Sequence, residues 1–446
     1  MLQIIIYIIL VSLFVLALGS LGRPGIAAAL AWSMIALESV LQQSNQFLVS
    51  NSSFVNFFIA GLVGITIGWG IIRGKYRKLR ISKQLWLYLL LISYCAISYF
   101  WSQSPTDTYE QIKLQLPYII TFCLLAPMCL VNAKQLNTAI TVLIYFGILI
   151  VIAINLSTIG MRGIIIDSVQ GKAVEANPLA AASFSAYVGF ASLFSIWGKK
   201  LWNFNSLLKL CFVGFCVTAM YSSGSRGQVI AFAGISAIFL PLIAGVAAKR
   251  STILAIVAIG IATFAVVIFV EQTELTTRWQ YHKMLEDQLG RFDMLKEVMR
   301  HWISAGPTAW IFGIGSSSSF KYLGIYPHIV LGEALVEEGI VGVALLLAII
   351  SITVRQAFRL MSTPNLPSEV RVNIGIIFAI FTFNLLLSFK QGSLLGSAST
   401  VFCFALMIGW LHSRLLKKNQ QENKQYVSNS QLRISNLKPI GKRTPT

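Results

Sequence analysis

Residues 326–353, YPHIVLGEALVEEGIVGVALLLAIISIT, decide how this chain is read. A proline and a histidine stand at the entrance to an apolar run long enough to cross a bilayer, which takes about 20 residues. Its carboxylates, Glu333, Glu337 and Glu338, all fall before Gly339 and Gly342, and the run then stays free of charge as far as Arg355. Just upstream, residues 271–328 form a polar stretch with six Lys or Arg and six Asp or Glu. Nearly everything before that stretch is oil-soluble. The pattern is that of a membrane protein with one large polar loop ending in a histidine. Chemistry is expected where that loop meets the bilayer.

The rest of the chain agrees. Of 446 residues, 56% are hydrophobic and 11% charged, with a mean hydropathy of +0.73, whereas a soluble protein carries about 25% charged residues. Apolar runs fall near 2–20, 24–41, 54–72, 84–101, 116–131, 136–154, 177–197, 207–222, 227–247, 252–270, 329–353, 372–389 and 396–413. That is thirteen runs, or twelve without the weakest at 24–41. The expected fold is all-α: a polytopic transmembrane helical bundle over residues 1–413, with one large extracytoplasmic loop at 271–328 and a basic, disordered cytoplasmic tail at 414–446. The alternating ten-residue segments of an outer-membrane barrel are not visible. The first run lacks a basic leader and a second span follows at once, so it reads as an uncleaved span. The net charge of +19 does not point to nucleic acid. Lys and Arg gather between spans and in the tail, as positive-inside topology requires, and no aromatic–basic module accompanies them. The six cysteines lie inside apolar runs without paired CxxC spacing, so they read as packing residues and no metal site is expected.

Orientation follows from the basic clusters. The linker from Arg73 to Arg80 is the densest short one and is assigned to the cytoplasm. One alternation then puts Lys199–Lys200, Lys249–Arg250, 355–371 and the tail inside. It puts 102–115, 155–176, 222–226 and 271–328 outside. Within the large loop, Leu289, Phe292, Leu295, Val298, Met299 and Trp302 recur at three- and four-residue steps. They predict an amphipathic helix over 288–302, lying at the interface with its apolar face toward bundle or lipid. Trp302 and Trp310 suit the headgroup level. Gly306-Pro307 and the run Gly313-Ile-Gly315-Ser-Ser-Ser-Ser319 permit tight turns and close backbone approach.

No phosphate-binding GxxxxGK[ST], zinc-protease HExxH, dinucleotide GxGxxG or paired-cysteine motif is present. What remains is a set of ionisable residues at the outer ends of spans. His328 precedes a helix start, where a neutral imidazole can take a proton from a hydroxyl; a polar cap is the plainer reading. Arg226 sits in the tight turn Tyr221-Ser-Ser-Gly-Ser225-Arg226-Gly227 on the outer side, against the positive-inside bias. It suits a phosphate as a bidentate partner, or it snorkels to a lipid headgroup. Arg291 opens the amphipathic helix, a place to hold an anion, or pairs with Asp287 or Glu297 on a solvated face. Glu337, Arg300 and Ser225 are supporting candidates. Glu337 lies too deep to orient His328 directly, and a carboxylate there needs a partner.

Three stretches together resemble the O-antigen ligase and O-antigen polymerase superfamily of bacterial inner-membrane glycosyltransferases. They are Ser223-Gly-Ser-Arg226-Gly, Gly290-Arg291 with the following Trp302, and His328 with Gly339 and Gly342 behind it. The resemblance spans the topology of the whole chain and about a hundred residues of sequence. In that family a polar residue, commonly Asn, often follows the histidine; here Ile329 does. The resemblance implies transfer of a glycan from an undecaprenyl-diphosphate-linked donor to an acceptor hydroxyl, on lipid A–core, on another lipid-linked glycan or on a protein Ser or Thr, at the periplasmic face. It implies His328 as base, Arg226 and Arg291 as the donor diphosphate clamp, the lipid-linked glycan, the acceptor glycan or lipid A–core and membrane lipids as partners, and no metal or other cofactor. A transporter or flippase is the main alternative, and would place ionisable residues at the midplane of broken helices. A non-catalytic scaffold for polysaccharide export is the third reading.

Overall fold

The computed structural model describes residues 1–42, 46–51, 53–74, 76, 81–157, 165–166, 174–175, 178–196, 203–244, 281–363, 366–396 and 400–415. Among these, eleven helices are long and apolar enough to cross a membrane. They are α1 (Leu2–Ser20), α2 (Gly25–Gln42), α3 (Phe54–Ile72), α4 (Lys83–Ile97, carried on by a 3-10 turn so that the span is Lys83–Trp101), α5 (Pro105–Tyr118, whose continuation makes the span Pro105–Met128), α6 (Ala133–Asn155), α7 (Pro178–Ser195), α8 (Phe204–Ser222) and α9 (Arg226–Ala244), then α13 (Val330–Met361) and α14 (Ser368–Ser388). Between α9 and α13 lie α10 (Tyr281–Ser304), α11 (Pro307–Phe312) and α12 (Ser319–Leu323). A shorter apolar helix, α15 (Thr400–Leu415), follows α14. The chain is an all-α, multi-pass membrane protein. The run expected at 252–270, the loop at 271–280 and the tail beyond 415 lie outside the described residues. A two-residue antiparallel ladder, Ile165–Ile166 against Val174–Glu175, interrupts the 155–176 connection.

Burial sorts the helices. In α2 and α7, 78% of the spanning window is buried, and in α14 72%, against 17% for α1. The first three therefore form the centre, and α1 faces lipid. The central helices are rich in small residues, with Ala27, Ala28, Ala29 and Ala31 of α2 and Ala182 and Ala186 of α7 fully buried. Without a hydrophobic drive between helices in lipid, close backbone approach supplies the dispersion contact that holds them. A Cβ at Gly25 would run into the backbone of Gln135, whose side chain accepts from Gly25 N at 3.0 Å. Side-chain caps close helix starts: Ser82 accepts from Leu85 N at 3.2 Å, and Asn132 accepts from Gln135 N at 3.0 Å.

Three elements differ from their expected bounds. The span expected at 116–131 begins at Pro105, because Pro at the first helical position and Asp107 in the first turn start a helix there. It carries Pro117 and continues as a π-helical stretch, Ile119–Leu125, beside which Pro127 follows. A proline removes one ladder hydrogen bond and crowds the preceding turn, and the wider winding relieves it. The amphipathic helix of the loop is longer than 288–302: α10 starts at Tyr281 and ends at Ser304. Finally, α13 is not one straight rod. Gly339 has φ 67° and ψ −166°, which splits it into a nine-residue outer piece and a long inner one.

Hydrogen bonds sort the connections onto two faces. On one, Tyr76 donates to Met128 O, Trp410 to Leu130 O, and Gln84 to Gln356. This face carries Arg23, Arg73, Lys83, Arg355, Arg359 and Arg371 with Glu369 as an acid among them. On the other, Tyr94 donates to Phe312 O, Lys321 to Gln103, Gln228 to Gln391, and Leu394 N to Glu333. The second face gathers the segments around 102–115, 222–228, 289–333 and 389–396, and with them every residue that the sequence marks for chemistry.

Candidate functional site

The break at Gly339 explains the positions of the site residues. It frees the last carbonyls of the outer piece of α13, and the loop after α11 takes them up: Ile314 N donates to Val336 O at 3.0 Å and Gly315 N to Glu337 O at 2.9 Å. A Cβ on Gly313 would overlap the Glu337 carbonyl, and one on Gly339 the Ile311 carbonyl, so only glycine allows this crossing. The serines that follow wrap the two adjacent carboxylates. Glu337 accepts from Ser317 N at 2.6 Å, from Ser319 N at 3.1 Å and from the Ser319 hydroxyl. Glu338 accepts from the Ser316 hydroxyl and from Ser98 Oγ at 3.2 Å. Ser102 and Thr108 donate to Ser316 O at 2.6 and 2.5 Å. Glu337, a supporting candidate, is therefore the clasp of this serine loop.

From this clasp the chain passes through α12 and returns at Tyr326-Pro327-His328. His328 has φ 61°, one of two non-glycine residues with positive φ among the described residues. A side chain is rarely held there unless the surroundings over-determine it, and such strain gathers at functional sites. The ring lies edge-on to Tyr326 at 4.5 Å and is half-buried. Burial, and then the charge of Arg291, hold the imidazole below the ordinary histidine value.

The structure thus brings Arg291 to His328. Arg291 and Leu295 share one face of α10, and Leu295 seats on Gly332 in the first turn of α13. Val298, on the same helix, packs with Ile314 and Val336 in a small core of its own. The apolar face of α10 is divided: Val298 is fully buried, whereas Leu289 and Phe292 are 54% and 60% exposed. Trp302 and Trp310 close the α10–α11 turn, donating to Ala309 O at 2.8 Å and Ile303 O at 3.1 Å. Arg226 is the first residue of α9 and is buried. Its neighbours Gly227 and Gln228 abut Lys390 and Gln391, and a Cβ on Gly227 would lie 2.8 Å from Lys390 Nζ. Two supporting candidates stand apart from His328. Arg300 pairs with Glu297 at 2.7 Å on an exposed face, and Ser225 directs its hydroxyl to Ser223 O at 3.5 Å.

His328 and Tyr326 line a cavity of about 530 Å³ between α2, α5, α7, α14 and the 389–396 loop. Glu333 holds that loop, accepting from Leu394 N at 3.0 Å. Gln391 and Gly392 of the same loop form part of the wall. Glu38, Gln115 and Tyr118 also line the cavity, as do Trp32 and Tyr187. Neither Arg226 nor Arg291 lines it, and no Lys or Arg does among the described residues. Sequence reasoning passed over Glu38, although a carboxylate within a span signals function by default. It lies in the weakest of the apolar runs, and its partner Asn56, which also donates to Tyr118 Oη, comes from another helix. No group of His, Cys, Asp or Glu suited to a metal ion occurs among the described residues.

Comparison with known protein families finds none that matches this chain, and comparison with curated proteins finds no match either.

Proposed function

We propose that the chain is a glycosyltransferase of the O-antigen ligase or polymerase type, working at the outer face of a bacterial inner membrane. The observation that carries this reading is His328: strained, half-buried, at the lip of a cavity, with its imidazole kept neutral by burial and by Arg291. A base that is neutral at physiological pH can take the proton of an acceptor hydroxyl. The acceptor oxygen then attacks the anomeric carbon of the lipid-linked glycan. The bond from that carbon to the phosphate oxygen breaks, and its electron pair leaves with undecaprenyl diphosphate. Arg291 and Arg226 neutralise the charge that grows on the diphosphate, which their planar guanidinium groups can engage through paired hydrogen bonds. The basic residues of the opposite face support an outward-facing site, since Lys and Arg are retained on the cytoplasmic side.

The broken helix at Gly339 and a carboxylate in the wall of α2 are features that a transporter or flippase also uses. The same experiment separates the two. The purified chain in lipid nanodiscs is given an undecaprenyl-diphosphate glycan and an acceptor. His328→Ala is expected to keep donor binding and to lose turnover by about 10²–10⁴-fold, the usual contribution of a general base. Arg226→Lys is expected not to restore wild-type binding, because the planar fork is lost. Near-normal turnover in His328→Ala removes the base. Movement of the donor across proteoliposomes without any glycan transfer establishes the transporter instead.

A further inference from the structure

The cavity beside His328 has a composition that selects its occupant. Glu38 lines it and is a pure acceptor when ionised. Its oxygens accept from Gln42 Nε2 at 3.0 Å and Asn56 Nδ2 at 2.9 Å. Each oxygen therefore takes one bond and keeps a second lone pair. Trp32 lines the same cavity, is 6% exposed, and its indole Nε1–H has no hydrogen-bond partner among the described residues. A buried donor left unsatisfied is costly, and a ligand acceptor that reaches this N–H would remove that cost. A hydroxyl is the common group that serves both, donating to a carboxylate and accepting from an indole. A phosphate or carboxylate ligand would find no Lys or Arg among the described lining residues to offset its charge beside Glu38. The walls are aromatic: Tyr118 and Phe122 stack at 6.3 Å and 11°, and Tyr187 meets Phe404 edge-on at 5.4 Å. Gln391 and Gln115 add amides that both donate and accept.

We propose that this cavity is a subsite for an uncharged sugar unit of the acceptor, with Glu38 and Trp32 binding its hydroxyls. The assignment to the acceptor rests on the transferase reading, because the base must lie within hydrogen-bond reach of the attacking hydroxyl. The donor diphosphate stays outside, at arginines that do not line the cavity. A polyhydroxylated ring fits such a place well: its apolar C–H faces lie on aromatic rings while its hydroxyls meet a few fixed polar groups.

The test uses the full chain in nanodiscs on an array of immobilised oligosaccharides, some uncharged and some bearing uronate or phosphate. Binding is expected only to uncharged glycans. It should fall at least tenfold in Glu38→Gln, which keeps the shape, and in Trp32→Phe, which removes only the N–H. Gln391→Ala, in the 389–396 loop, is expected to weaken binding as well, and thermal melting verifies folding of each variant. Preference for anionic glycans, absence of glycan binding, or unchanged binding in both Glu38→Gln and Trp32→Phe overturns the proposal. Two outcomes separate it from the transferase reading. Glu38-dependent binding of uncharged glycans by a chain that transfers nothing upholds the subsite as a sugar site and removes the reading. Transfer with an unchanged acceptor KM in Glu38→Gln removes the subsite alone.

Discussion

On the proposed reading Arg291 has two roles that pH can separate. Its charge disfavours the imidazolium form of His328, so the histidine stays neutral to lower pH than an isolated one. Removing that charge lets His328 take up a proton more readily. In Arg291→Gln the acid limb of the pH profile for turnover is therefore expected to move to higher pH, while burial, the larger cause, still holds it below that of a solvent-exposed histidine. Turnover against pH between 5 and 8 at saturating donor measures this. A limb that stays put or moves down would show that Arg291 acts on the donor alone. At this scale the sequence was legible where a residue stood out against its neighbours: a histidine behind a proline at a helix start, an arginine in a tight outer turn. It was illegible where meaning comes from partners. Glu38 and Trp32 are ordinary members of an apolar run until Asn56, Tyr118 and the cavity surround them.

The decisive element is α13, because its break creates the clasp and its outer piece follows directly on the turn that carries His328. Gly339 sits where φ and ψ admit almost only glycine, and a Cβ there would overlap the backbone of the loop. Gly339→Ala is expected to cost about 1–3 kcal/mol for the backbone strain alone, with a further loss as the loop is pushed away. Glu337→Ala leaves the buried amides of Ser317 and Ser319 without acceptors, at about 1–3 kcal/mol each. Both should lower the melting temperature in detergent, and Glu337→Ala should leave donor binding intact below its melting transition. Donor binding lost in Glu337→Ala while the fold stays stable would make the carboxylate part of the binding machinery. Spacing alone revealed that glycines and serines near 306–319 allow close approach. What they approach was not visible, since the carbonyls of Val336 and Glu337 become acceptors only once the helix has broken. The early start of α5 was written in Pro105 and Asp107, but Glu110 and Lys113 gave that segment the look of a loop.

For the whole molecule, apolar length alone settled most of the architecture, since spanning lipid forces each chain segment to satisfy its own backbone. The expected runs and the helices coincide across the described residues, apart from the displaced ends. Orientation rests on the separation of charge between the two faces. In a background with all native cysteines replaced, needed because Cys211 is exposed, an impermeant thiol reagent applied to intact spheroplasts should label Lys321→Cys. It should not reach Arg73→Cys or Arg359→Cys until the membrane is opened. Labelling of Arg359→Cys in sealed cells would invert the molecule and take the site to the cytoplasm.

The bent α13 also has a consequence for how the protein is made. Its inner piece, 340–361, is about 22 residues, roughly 33 Å of helix, which spans the hydrocarbon unaided. Its outer piece bears three carboxylates in six residues, Glu333 to Glu338, a segment that lipid rejects. The inner piece can therefore partition as the chain leaves the translocation machinery, while the outer piece waits in water or at the interface. It is drawn into the bundle only when the serine loop closes on Glu337 and Glu338 and the 389–396 loop on Glu333. That last loop is synthesised after the span it caps. Closure of the site is thus expected only after insertion, and a nascent chain stopped before residue 389 is expected to thread the membrane yet lack its cavity.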